Sequence, residues 1–142
     1  MDAVSFQADL EARVRYRAAQ IAGNAREILE RDLKRAAPVG TPSPYQTHEP
    51  GQLRDSLTVS VRFDQVRFTF TAKTDVAYAS YTNEGTGPHP IVAVNVRVLR
   101  FDWPRAGLHP AFLPRVSHPG TSGTHWWDNA LSRWPDTLAA AQ

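Results

Sequence analysis

The chain has 142 residues, 42% hydrophobic and 21% charged, a globular rather than disordered composition that fits a single domain over 1–142. Its formal charge is only +2, so contact with nucleic acid is permitted but not demanded. The absence of cysteine excludes disulfide frameworks and thiolate metal sites.

No apolar run approaches the ~18 residues of a membrane span. Met1-Asp-Ala-Val-Ser lacks the basic-then-apolar layout of a signal peptide. The expectation is a soluble protein made in a cytoplasm.

Residues 1–37 hold no proline and one glycine, and read as one long helix. Leu10, Val14, Ala18, Ile21, Ala25, Ile28 or Leu29, Leu33 and Ala36 recur about every 3.7 positions, close to the α-helical repeat. Lys34 and Arg35 suit the negative end of the helix dipole, and Pro38 stops the helix. About 30 helical residues span ~45 Å, longer than a domain of this size needs. The outer turns therefore either lean on another surface or lie across the domain's own sheet. Residues 38–52 form a loop rich in Pro, Thr, Ser and Gly, with Tyr45 and His48 inside it. Loops of this length are usually functional or mobile.

Residues 53–118 are expected to form a sheet. Leu57, Val59, Val61 and Phe63 alternate with polar residues, Asp64-Gln65 reverses the chain, and Val66, Phe68 and Phe70 repeat the pattern, giving a hairpin. Ala77 to Tyr81 is a short apolar and aromatic stretch before a glycine-rich turn. Val92, Val94, Val96 and Val98 alternate as a strand, after which Leu99, Phe101 and Trp103 shift phase, the mark of a bulge or turn. Ala111 to Val116 is a further strand. Helical spacing returns in 124–142, where Trp127, Leu131 and Trp134 share a face. Trp126 points elsewhere, into other packing or towards a partner. Pro135 makes the tail a kinked or separate turn. The fold class is α+β: a long N-terminal helix, an antiparallel sheet of four to five strands with helices on one face, and a short C-terminal helix.

Little in the sequence suggests catalysis. Of the five histidines, His89, His109 and His118 precede prolines in turn-like contexts, while His48 and His125 have no partner at metal-ligand spacing. Gly120-Thr-Ser-Gly123 lacks nucleophile-elbow spacing, and Gly85-Thr-Gly87 lacks the lysine of a phosphate cradle. Asp55, Asp64, Asp75 and Glu84 sit in separate turns or strand ends. The expectation is a protein that is not an enzyme and holds no cofactor or metal. A basic stripe of Arg13, Arg17, Arg31 and Lys34 could track phosphates as a small nucleic-acid-binding domain, although Asp9, Glu27 and Glu30 interrupt it.

Four stretches, in this order, resemble the tail-completion or head–tail joining family of small minor tail proteins of tailed bacteriophages. Ala36-Ala-Pro-Val-Gly-Thr41 is similar to the family's A-P-V-x-T helix exit, and Gly51-Gln-Leu-Arg-Asp-Ser-Leu57 to its G-x-L-R-x-S step into the first strand. Val76-Ala-Tyr-Ala-Ser-Tyr-Thr-Asn-Glu-Gly-Thr-Gly87 resembles its Y-A-x-Y-x-x-x-G-T-G signature, and His118-Pro-Gly-Thr121 its H-P-G-T close. Two departures stand out: Pro42 to Pro50 are inserted between the first two motifs, and Asn83-Glu84 occupies the commonly aromatic position before the glycine.

The resemblance implies a virion component of the neck or tail, forming a ring of six at the head–tail junction. Its neighbours would be a head-completion or stopper protein and a tail terminator or tail tube, with DNA only as cargo. A tail terminator or another minor tail protein is the alternative within the virion. On this reading Pro38, Thr41, Tyr45, Leu53, Arg54, Ser56, Tyr78, Tyr81, Gly85, Thr86, Gly87, His118, Pro119, Gly120 and Trp126 are turn residues and candidate subunit contacts. The insertion carrying Tyr45 is expected to order against a neighbouring subunit or neck ring, or else to serve as a plain tether.

Overall fold

A computed structural model describes residues 3–42 and 48–142. Helix α1 runs over Ala3–Ala36. Pairs one turn apart brace it, Asp9 with Arg13 at 2.8 Å and Glu30 with Lys34 at 2.7 Å. The Ala37 N–H donates to the Leu33 carbonyl before Pro38 ends the ladder. Only the second half of α1 is covered. Ala22, Ala25, Leu29 and Leu33 are buried, whereas Phe6, Leu10, Val14 and Tyr16 are 50–69% exposed. The helix therefore does not lie wholly across its own sheet: its outer half projects from the body.

After the helix exit, Gln52–Ser56 form a short helix, α2, where the sequence reading began the sheet. Gly51 turns the chain there with φ +85°, and Leu53 drops into the core. Strands β1 (Thr58–Phe63) and β2 (Phe68–Lys73) make the expected hairpin, with Val59 opposite Ala72 and Phe63 opposite Phe68. Its turn is held by the Asp64 carboxylate, which accepts from the N–H groups of Val66 and Arg67. The core lies between α1, this hairpin and the C-terminal helices: Leu29, Leu33, Leu53, Leu57, Val59, Trp126 and Ala130.

The outer edge of β1 faces α1, where the sheet stops instead of gaining a strand. At Val59 the N–H donates to Glu30 Oε2 at 3.3 Å, and the carbonyl accepts from Arg26 Nη1 at 3.4 Å. Two helix side chains thus satisfy the backbone groups a further strand would need.

The rest corrects the expected single sheet of four to five strands. Helix α3 (Ala79–Glu84) leads into β3 (Gly85–Thr86), β4 (His89–Val92), β5 (Leu99–Trp103), a 3₁₀ turn at Pro104–Ala106, β6 (Leu108–Leu113), β7 (Arg115–His118) and β8 (Thr121–Ser122). These strands pair two by two, β3 with β8, β4 with β7 and β5 with β6, and none joins the β1–β2 hairpin. Proline is the physical reason. Pro88, Pro90, Pro110, Pro114 and Pro119 remove N–H donors that lateral pairing would use. Residues 88–119 consequently form a narrow two-stranded arm that does not pack extensively on α1 or the hairpin.

The alternating valines do not form the expected strand through Val98. Ala93 donates to the Pro114 carbonyl, and the residues up to Val98 then leave the ladder before Leu99 pairs with Leu113. Pro114 has no N–H to return, so pairing fails there. Instead of one C-terminal helix there are two, α4 (Trp126–Leu131) and α5 (Trp134–Ala140). Pro135 falls in the first turn of α5, where its missing N–H costs nothing. Asn24 Nδ2 donates to the Ala141 carbonyl, tying the end of α5 to α1.

Glu30 has its pKa held below the ordinary 4.5, chiefly by the hydrogen bond from Lys34, helped by the Val59 N–H and the nearby Lys34 and Arg26 charges and opposed by partial desolvation. Its stabilising contribution is complete above the unfolded value and fades as pH falls through the lower folded value. Glu30→Ala should destabilise the fold by about 1–2 kcal/mol at neutral pH, because the Val59 N–H loses its partner. Below that titration the variant and parent should converge. Thermal melts across the acid range check both points, and a constant gap at every pH would refute the clamp.

Candidate functional site

Two of the four family-like motifs meet in space. Gly85 pairs with Ser122 and Thr86 with Thr121, so the G-T-G and H-P-G-T stretches form the short β3–β8 ladder at the root of the arm. The Thr86 and Thr121 hydroxyls lie 3.1 Å apart, and the Thr121 N–H donates to Thr86 Oγ1 at 3.2 Å. Backbone runs against backbone here. A Cβ on Gly85 would collide with the Thr121 carbonyl oxygen, and one on Gly120 with that of Thr86. Both glycines have positive φ, +86° and +90°. Gly87 has neither constraint, with nothing within 4 Å of an added Cβ.

His118 Nδ1 accepts from the Gly120 N–H at 3.0 Å, closing the turn around Pro119. Its ladder partner His89 has Nδ1 2.8 Å from the Gly87 carbonyl oxygen, and the two rings stand 5.0 Å apart. These turn histidines brace the arm root from both strands. Among the described residues no three His, Asp or Glu side chains group to hold a metal ion, and no helix is long and apolar enough to cross a membrane.

Asn83 organises the other side of this junction. Its side-chain oxygen accepts from the Trp127 N–H at 3.0 Å, and its amide donates to Asp128 Oδ2 at 2.9 Å. Its carbonyl accepts from the His125 N–H at 2.9 Å. His125 precedes α4 with φ +52° and makes no side-chain cap, so Asn83 caps that helix from a distant segment. Thr82 adds a parallel set: its carbonyl accepts from Thr124, and its hydroxyl accepts from Trp126 Nε1 at 3.2 Å. Trp126, one of the candidate contacts, is 4% exposed and belongs to the core, edge-on to Trp127 at 5.5 Å. Leu131, which was expected to share a face with Trp127 and Trp134, lines a hollow with both and is exposed.

The first two motifs also meet. The Gly51 N–H donates to the Val39 carbonyl at 2.9 Å, joining the helix exit to α2. Leu53 is buried, Arg54 forms a two-bond pair with Asp55, and the Ser56 hydroxyl bonds the Leu53 carbonyl and Thr74. Pro38 and Tyr78 line one cleft of about 210 Å³ with His48, whose ring lies 4.8 Å from that of Tyr78. Thr41 and Tyr81 are exposed. Tyr45 lies outside the described residues.

Sequence reasoning missed Thr82, Asn83 and Glu30. Asn83 did leave a trace, as the polar residue at a position the resemblance makes aromatic.

Besides the outer half of α1, two further apolar surfaces are uncovered among the described residues. A trough of about 460 Å³ is lined by Ala18, Ile21, Ala22, Phe68, Phe70, Trp134 and Leu138. Phe70 packs edge-on to Trp134 at 4.8 Å, and beyond this pair a second hollow continues to Leu29, Trp127 and Leu131. The arm exposes Ile91, Val92, Val94, Val96, Val98, Trp103, Leu108 and Phe112, with Val94 at 87%.

No family model, curated protein or solved structure matches the chain.

The junction makes separable demands on its residues. Gly85→Val and Gly120→Val should each destabilise by about 3 kcal/mol or more, from backbone strain plus collision, while Gly87→Val should melt near the parent. Asn83→Ala should cost about 1–2 kcal/mol by removing the α4 cap. Equal melting of the Gly85 and Gly87 variants would contradict the close approach.

Proposed function

We propose that this chain is a structural subunit of the head–tail junction of a tailed bacteriophage, working as a closed ring and not as a catalyst. The resemblance implies six copies, with head-completion and tail proteins as neighbours and DNA passing through as cargo. The observation that carries the reading is the apolar surface on the two projecting elements. Phe6, Leu10 and Val14 on the outer half of α1 and the valines and aromatics of the arm are exposed in the single subunit. Contiguous exposed apolar surface of this kind marks an interaction site. Two projections on one body suit repeated contacts around an axis better than a single ligand pocket. The pairing of the motifs adds support, since the G-T-G and H-P-G-T stretches meet across 35 positions and root the arm.

The competing nucleic-acid reading loses ground at its own residues. Arg13 pairs with Asp9, Lys34 with Glu30 and Arg31 with Asp32, so much of the basic stripe is neutralised within α1. Such pairs leave little net charge to release counterions from a phosphate backbone.

Electron microscopy of neck complexes or virions carrying this chain tests the reading. Ring density between head and tail should fit the subunit and vanish when its gene is disrupted, leaving unjoined heads and tails. Joined, infectious particles without the chain would overturn the proposal.

A further inference from the structure

The projecting valines of the arm have a cause and a counterpart. Between Val92 and Leu99 the ladder breaks at Pro114, and the displaced residues form a knob carrying Val94, Val96 and Val98, which are 87%, 62% and 39% exposed. On the body, Ala18, Ile21, Phe68, Phe70, Trp134 and Leu138 line an open apolar trough. The two surfaces also differ in charge. The arm carries Arg97, Arg100, Arg105 and Arg115 against the single carboxylate of Asp102. The rest of the chain, residues 1–87 and 120–142, carries thirteen carboxylates against twelve cations. Asp136 lies in the first turn of α5, the helix that presents Trp134 and Leu138.

We propose that the Val94–Val98 knob of one copy seats in the Phe68–Phe70–Trp134–Leu138 trough of the next. The contact is head-to-tail: knob and trough are different surfaces of one chain, so each copy uses both, and a fixed rotation between copies closes a ring. Exposed large apolar side chains along the arm contribute to the ~800 Å² per partner that a stable interface buries. The basic arm disfavours arm on arm and leaves the nearly neutral body as the better partner. Bare phosphate backbone is a poorer occupant, because it would leave the valines in water. This inference rests on the ring reading and deepens it by naming the surfaces in contact.

The cysteine-free chain allows a direct test. Full-length Val96→Cys and Leu138→Cys proteins are mixed and oxidised, beside each variant alone. Light scattering follows the parent's association with concentration and salt, and duplex DNA is titrated in parallel. The mixed disulfide should exceed either self-pair about tenfold, as the raised local concentration of a docked pair requires. The parent should associate, less so as salt rises. Val94→Asp with Val96→Asp should weaken association about tenfold or more while leaving the melting temperature unchanged, because the knob is already in water in the single subunit.

A parent that associates without preferential mixed disulfides overturns the knob contact and leaves the ring reading standing. A parent that stays monomeric at every accessible concentration overturns the knob contact too, while the place of the chain in the neck is decided separately by microscopy. Binding to duplex DNA that the aspartate pair abolishes, without association between copies, would assign the knob to nucleic acid instead.

Discussion

Asn83 is the residue on which the organisation of the C-terminal half turns. One side chain and one carbonyl reach His125, Trp127 and Asp128 within a single turn, and so start α4 at a point where the local sequence offers no cap of its own. Starting α4 there directs Trp126 and Ala130 into the core against Leu29 and Leu33. The same crossing brings residues 83–87 against 120–123 so closely that glycine is required on both strands. The arm is therefore rooted where backbone runs closely against backbone.

α1 is the second organising element, and its two halves have different environments. The inner half packs on β1, α4 and α5, and its Arg26 and Glu30 close the edge of β1. The outer half has the same apolar repeat with no covering layer. Burying a Leu or Phe side chain is worth roughly 1.5–3 kcal/mol. Leaving Phe6, Leu10 and Val14 in water forgoes several such contributions, so the outer half adds little to the stability of the body.

The parts of this architecture set by local rules were legible in the sequence. The period of α1, its stop at Pro38, the Asp64 turn and the β1–β2 hairpin follow from spacing and turn chemistry. What was not legible depended on partners far away in the chain. Alternation at Val92 to Val98 promises a strand, but a strand needs a neighbour able to donate, and Pro114 is not one. The expected single sheet failed for the same reason, since periodicity reports which face is apolar and says nothing about which edges pair. Gly51-Gln-Leu-Arg-Asp-Ser56 reads as an approach to a strand and folds as a turn of helix because Leu53 and Leu57 are drawn into the same core. Spacing left Trp126 open between other packing and a partner; the choice rests on the Thr82 hydroxyl, 44 positions away, which gives its indole N–H a partner inside.

The root of the arm has a further consequence for how such a chain can diverge. Thr86 and Thr121 lie 35 positions apart and are joined side by side, so everything between them is, to the rest of the fold, a closed loop. The entropy of closing a loop grows only logarithmically, by about 0.6 kcal/mol for each doubling of its length. Residues inserted or deleted beyond the paired threonines thus change stability little and change reach a great deal. A lineage can lengthen, shorten or recharge the arm to meet a new neighbour while α1, the hairpin and the glycine crossing remain untouched.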